Sequence, residues 1–217
     1  MAAADLERPV SLRIRYLDLL ASLGIAHDSA GSFGYLVSRY SEPHRKYHNL
    51  SHIEDCLAKF DQMRDLTEND AAVELAIWFH DIVYDPLSRT NEEDSADAFR
   101  AITAPLALSE AFCQSVYDLI LSTKHSSMPG TIDAAILHDV DLSILGSQED
   151  VYQDYCRRIR EEYSAYADEP YREGRSLFLR KVLGMEWIFC TSRGRERFEQ
   201  RARDNMEQEL SVLGRPS

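Results

Sequence analysis

The chain lacks any charge-free apolar run approaching the ~18 residues that a membrane span needs, so a membrane partner is not expected. It is also short of positive charge. With 24 Lys and Arg against 37 Asp and Glu, the formal net charge is −13 with histidine neutral. Such a surface repels the phosphate backbones on which non-specific nucleic-acid affinity depends, which argues against a nucleic-acid polymer as partner. Cysteine is sparse. Cys56, Cys113, Cys156 and Cys190 stand far apart with no C-x-x-C spacing, which removes the zinc ribbon and the redox pair and leaves reduced core thiols. Residues 1–10 have neither the basic start nor the apolar centre of a secretory signal, so a cytoplasmic location is expected and Asn49-Leu50-Ser51 is an accidental sequon. P-loop, dinucleotide-turn, nucleophile-elbow and H-E-x-x-H patterns are all missing, and with them the usual warrants for those chemistries. Alternating β-branched runs are nearly absent.

What fills the chain is helical periodicity, which predicts an all-α fold. Its 217 residues suit a single domain, with a core over about 30–167 and C-terminal helices over 173–213 packed on it. Leu12, Tyr16, Leu19, Leu20 and Leu23 give an amphipathic helix over about 6–23, and a second is expected over about 30–40. After Pro43, Ser51-x-x-Glu54 has capping-box spacing ahead of an apolar stripe of Ile53, Leu57, Phe60 and Met63, which puts His52 in a first helical turn. The segment DAAVELAIWFHDIVY, about 70–84, is apolar on nearly every side and reads as a central, buried helix that Pro86 should end. Further helices are expected at about 92–102, 109–125, 132–145, 149–167, 173–190 and 195–213. Their Tyr and Met stripes read as core packing.

The sharpest local anomaly is His80-Asp81, a polar pair directly after Leu75-Ala76-Ile77-Trp78-Phe79. A buried carboxylate needs a cationic partner, and a divalent metal supplies one economically. Imidazole nitrogen beside carboxylate oxygen suits manganese, zinc, iron, cobalt, nickel or magnesium without choosing among them. His52 upstream and Asp139-Val140-Asp141 downstream each sit on their own helix. Three helices thus bring inward-capable ligands, the usual way a bundle builds a metal site.

In that order, His52, His80-Asp81 and Asp141 or Asp139, the sequence resembles the HD-domain superfamily of metal-dependent phosphohydrolases, whose ligands run H…HD…D. The likeness is closest to a subgroup with Y-H-N-L-x-H-I, F-H-D-x-V-Y-D, N-E-x-x-S-A and D-x-D-L-x-I-L-G blocks, here residues 47–53, 79–85, 91–96 and 139–146. It extends over about 30–213. The resemblance implies that His52, His80, Asp81 and one of Asp139 and Asp141 hold the ion. Positions two apart on a helix differ by about 200°, so only one of the two aspartates should reach it. HDxxYD stands where alarmone hydrolases of the superfamily have HDxxED, and Tyr84 therefore puts that substrate in doubt.

Around this set, Asp85 is either a general base four residues beyond Asp81 or a helix-end cap, and Glu92 either orients a ligand histidine or is a surface acid. His48 and Asn49 either face substrate or shape the start of the His52 helix. Lys124 could meet phosphate; His125 beside it could cap a helix, meet phosphate or add a ligand for a second ion. Arg160, Tyr163 and Arg175 could touch an anionic substrate or form packed ion pairs, whereas the Glu-rich runs at 92–94 and 161–162 read as solvated faces, and His27, His44 and His138 as structural or surface residues. The expectation is a phosphohydrolase acting on a nucleotide or another small phosphorylated metabolite through a metal-activated water. A metal-binding nucleotide sensor or scaffold without turnover, and a di-iron oxygenase needing extra histidines such as His125, are the competing readings.

Overall fold

The computed structural model describes residues 3–29, 31–125 and 127–214, with no side-chain description before Val10. Among the described residues there is no strand, and no helix is long and apolar enough to cross a membrane. The helices are α1 (Ala3–Ser22), α2 (Ser32–Tyr40), α3 (Leu50–Phe60), α4 (Asp70–Phe79), α5 (Asn91–Thr103), α6 (Glu110–Ser122), α7 (Ile132–Asp141), α8 (Glu149–Glu162), α9 (Asp168–Leu183), α10 (Ser192–Gly194) and α11 (Gln200–Leu213). A 3-10 turn, Leu142–Gly146, follows α7, and a π-helical turn, Arg195–Glu199, leads into α11.

Helix α4 is the axis of the molecule and packs against α1, α3, α5, α6 and α7. Val73, Leu75, Ala76, Ile77, Trp78 and Phe79 are completely buried, which explains the absence of a polar face in the sequence. Each large apolar side chain contributes about 1.5–3 kcal/mol by leaving water. Trp78 meets the Tyr16 ring edge-on at 5.3 Å, and Phe79 meets Phe99 at 5.3 Å. Glu74, the one buried acid of α4, is held by Arg15 of α1 at 2.8 Å and by Arg64.

Helix α4 stops at Phe79, not at the proline as the periodicity suggests. Carbonyls that a longer helix would use are taken by side chains: Tyr40 Oη donates to the Trp78 carbonyl at 3.0 Å, and His80 Nδ1 to that of Ile77 at 2.9 Å. Arg45, itself buried, donates to the carbonyls of Asp81 at 2.6 Å and Ile82 at 2.9 Å. The His80-Asp81 pair therefore lies on a clamped turn. Other ends also move: α6 and α8 close at Ser122 and Glu162, and α9 begins at Asp168 with Pro170 in its first turn, where a missing N–H costs nothing.

The helix expected to run to 190 ends instead at Leu183, and residues 188–191 form a buried irregular strap. Two carboxylates replace the helical acceptors. Glu199 receives the N–H groups of Ile188 and Phe189 at 3.1 Å, and Asp139 receives those of Cys190 at 2.6 Å and Thr191 at 2.8 Å. All four cysteines are free thiols as expected, although only Cys56 is fully buried.

Gly146 closes the 3-10 turn so tightly on Phe198 that a Cβ would sit 2.6 Å from the Phe198 Cβ and 2.7 Å from its carbonyl oxygen. Gly146→Ala should thus destabilise the chain by about 1–3 kcal/mol, the usual range for overpacking. A lowered urea midpoint with an unchanged m-value checks this.

Candidate metal centre

Asn49 caps α3: its Oδ1 accepts the N–H of Ser51 at 2.9 Å, and its Nδ2 donates to the Lys46 carbonyl at 2.8 Å. The cap is therefore Asn49 and not the Ser51 of the capping-box spacing, and Asn49 does not line the cavity described below. His52 lies in the first turn of α3, His80 and Asp81 on the turn beyond α4, and Asp141 at the end of α7.

These four residues converge. His52 Nε2 and His80 Nε2 are 3.2 Å apart, Asp81 Oδ2 is 3.1 Å from His80 Nε2 and 3.5 Å from His52 Nε2, and Asp141 Oδ1 is 3.4 and 3.6 Å from the same two nitrogens. Ligand atoms ~2.0–2.2 Å from a first-row ion lie about 3–3.5 Å from one another in tetrahedral or octahedral arrangements. The donor set fits a divalent ion on both chemistry and spacing. Because His80 Nδ1 donates to Ile77, the Nε2 lone pair is the one aimed at its neighbours. Cys56, whose Sγ is 3.7 Å from His52 Nδ1, also makes a ligand-sized group with His52 and Asp141.

The electrostatics agree with a cation. Burial disfavours a charged His80, yet Asp81 and Asp141 outweigh burial and raise its proton affinity well above the ordinary imidazole range. Burial likewise opposes ionisation of Asp81 and Asp141, and the neighbouring imidazoles reverse that and hold both carboxyls well below the usual range.

Asp139 points away from this cluster. Its carboxylate receives Cys190 N, Thr191 N and Thr191 Oγ1, the last at 2.6 Å, so it anchors the strap, and Asp141 is the aspartate of the pair that the structure brings to the cluster. His138, Asp139 and Cys190 also form a ligand-sized group, but both Asp139 oxygens are occupied and the His138 nitrogens face the Ile188 carbonyl at 2.9 Å and His125 Nδ1 at 3.0 Å. Burial and the neighbouring His125 push His138 down to about 4, which keeps it neutral. His125 itself places Nε2 2.9 Å from Asp141 Oδ2, on a backbone with φ of 47°, and so buttresses that carboxylate.

The cluster opens into a cavity of about 690 Å³. Asp81, Asp141, His125, Lys124, Glu92 and His48 line it. Asp85 does not: with α4 ended at Phe79, it is exposed, and its Oδ1 caps the turn by accepting Leu87 N at 2.9 Å. Asp85 thus closes the turn after α4 instead of a helix end, and the structure does not bring it to the cavity. Glu92 borders the cavity but hydrogen-bonds to no ligand histidine among the described residues, and for His80 the Ile77 carbonyl does the orienting. Arg160 is likewise spent, donating to the carbonyls of Tyr163 at 2.9 Å and Tyr166 at 3.1 Å and to Asp168 at 2.6 Å, outside the cavity. Tyr163 lines it; Lys124 does too, ion-paired with Glu93.

The residue the sequence hid best is Glu162, read as part of a solvated run and found buried. It accepts the backbone N–H groups of Lys46, Tyr47 and His48 at 2.7, 2.8 and 3.0 Å, the Tyr84 hydroxyl at 2.9 Å, and His48 Nδ1 at 2.6 Å. Burial alone would raise its pKa, but His48 and the backbone donors bring it down to about 2. A carboxylate depressed from 4.5 contributes about 3 kcal/mol of stability above its unfolded value, and that contribution is lost as pH falls from 4.5 toward 2. Glu162→Gln should therefore be less stable than the native chain at pH 6, with the gap closing toward pH 3; urea titrations across that range check it. Tyr152, Tyr155, Ile159 and Glu162 fall on one helical face, which is the signal that could have revealed it. The chain matches no protein-family model, no curated protein and no solved structure.

Proposed function

We propose that the chain is a metal-dependent phosphohydrolase acting on a small phosphorylated molecule. One observation carries this reading: four N/O side chains from α3, the turn after α4 and the end of α7 converge at ion-sized spacing, and two of them, Asp81 and Asp141, line a cavity that can admit a metabolite. The sequence resemblance supports it from a separate direction. His52, His80, Asp81 and Asp141 would hold a divalent ion, which when bound would make a water acidic near neutral pH and offer positive charge to the phosphoryl oxygens.

The remaining chemistry belongs to the protein. Ionised Glu162 can only accept, so His48 Nδ1 carries a proton toward it and Nε2 is the nitrogen left for the cavity. Tyr84 holds the ring from one face, with centroids 4.2 Å apart. In the reaction the water oxygen bonds to phosphorus as the ester P–O bond breaks; His48 enters this step protonated on both ring nitrogens, and the leaving oxygen takes the Nε2 proton. One water hydrogen stays on the product phosphate; the other goes to solvent, which restores His48. Arg89, which lines the cavity, offers positive charge to the phosphate, while Lys124 is held by Glu93.

Phosphate release from a panel of nucleotides and phosphorylated metabolites, with added Mn, Co, Ni, Zn or Mg, tests the reading. Metal-dependent release that a chelator stops is the expected result. Bound metal with no release from any ester overturns it in favour of a sensor.

A further inference from the structure

Six of the chain's eleven tyrosines line the cavity. Tyr47 and Tyr84 lie against His52 and His48, with ring centroids 4.9 and 4.2 Å apart, and Tyr155 meets Tyr47 at 4.7 Å, while Tyr163, Tyr166 and Tyr171 form an outer group. The outer three come from the end of α8 and the start of α9 and do not stack on each other: the Tyr163 centroid is 6.0 Å from Tyr166 and 6.2 Å from Tyr171, tilted by 30° and 50°. Phe178, Ile159 and Leu142 add apolar surface. The Tyr166 and Tyr171 hydroxyls hydrogen-bond to nothing among the described residues, and Tyr166 is 37 % exposed. Arg160 covers one face of Tyr171 at 4.6 Å, and the remaining faces of the splayed rings offer stacking surface to a flat group.

Charge sets the second constraint. Arg175 lines the cavity but is neutralised by Glu209, at 2.8 and 3.1 Å, and donates to the Tyr155 hydroxyl at 3.1 Å. Lys124 is matched by Glu93. Among the described cavity residues, Arg89 is the arginine or lysine with no carboxylate partner, while Asp81, Asp141 and Glu92 add negative charge. A divalent ion and Arg89 together only offset Asp81, Asp141 and Glu92, so phosphate charge enters this cavity in excess. A single phosphate group adds about −1.5 to −2 at neutral pH and is opposed least, whereas a triphosphate or a bis-diphosphate adds more uncompensated charge.

We infer that the substrate is a monophosphate ester whose alcohol part carries a flat, uncharged ring, with the phosphate beside Asp81 and Asp141 and the ring among Tyr163, Tyr166 and Tyr171. The assignment rests on the hydrolase reading for which end reacts. Its recognition half stands by itself.

Binding of non-hydrolysable probes to the full chain separates the two. Calorimetry in the presence of manganese compares a nucleoside 5′-monophosphonate, a nucleoside triphosphate analogue with blocked bridges, and the ring-free glycerol phosphonate. The monophosphonate should bind at least ~10-fold tighter than either of the others. Tyr166→Ala and Tyr171→Ala should each weaken it by roughly 5-fold to 100-fold, the range for loss of one stacked ring, and leave glycerol phosphonate unchanged. Tighter binding of the triphosphate analogue, equal binding of the ring-free probe, or no effect of either tyrosine variant overturns the inference. Selective binding without turnover of the matching ester keeps it and removes the hydrolase reading; turnover with unselective binding does the reverse.

Discussion

Replacing Asp81 with alanine should lower divalent-metal affinity by more than ~100-fold and remove metal-dependent phosphate release while the fold persists. Partners that merely orient a ligand are worth about 10–100-fold in affinity, and Asp81 is in direct reach of both imidazoles, 3.1 Å from His80 and 3.5 Å from His52. The fold is spared because α4 is held by completely buried apolar residues before the turn, and the turn by Arg45 through the carbonyl of Asp81, which alanine retains. Two controls come from the same geometry. Asp85→Ala, outside the cavity, should keep both metal and activity. Asp139→Ala should keep metal affinity but lose stability, about 1–3 kcal/mol for each of the two buried N–H groups it strands. Metal titration by calorimetry and urea unfolding read the three variants. Equal metal affinity in the native chain and Asp81→Ala would sink the assignment of the site. Proton and metal also compete: with His80 raised by Asp81 and Asp141, affinity should decline as pH falls even above the ordinary imidazole range.

The elements were legible because their packing is local. The apolar run of α4, the stripes of α3 and α8 and the candidate ligands His52, His80 and Asp81 announce themselves within a few helical turns. Where the sequence misleads, the partner lies far along the chain. The early end of α4 depends on Tyr40 and Arg45, 38 and 36 residues from the carbonyls they take. The strap at 188–191 depends on Asp139, 51 and 52 residues away, and Glu162 gathers donors 114 to 116 residues away. Asp139 and Asp141 show both sides of this. Their 200° separation on α7 says that one must turn away, but only the strap, itself unreadable in sequence, decides which. The general-base reading of Asp85 assumed an α4 that continues past His80, and the turn after Phe79 leaves that carboxylate exposed instead.

His48→Gln should reduce turnover of an alkyl phosphate by about 10²–10⁴-fold, the range for a lost general acid, and leave metal affinity unchanged. The size follows from placement. Glu162 fixes Nδ1 at 2.6 Å, Tyr84 covers one face of the ring, and Nε2 remains for the cavity that Asp81 and Asp141 border. An alkoxide cannot leave without that proton, whereas a nitrophenolate can. On p-nitrophenyl phosphate the same variant should therefore lose less than ~10-fold. Equal losses on the two esters would mean that His48 only positions substrate. Glu162→Gln sharpens the point, because glutamine can still accept the backbone N–H groups through its oxygen but cannot accept from both His48 and Tyr84. It should show the same leaving-group dependence in weaker form, with the ring still present but no longer held. Loss of metal affinity in either variant would place the dyad in the folding of the α3 start instead of in the proton transfer.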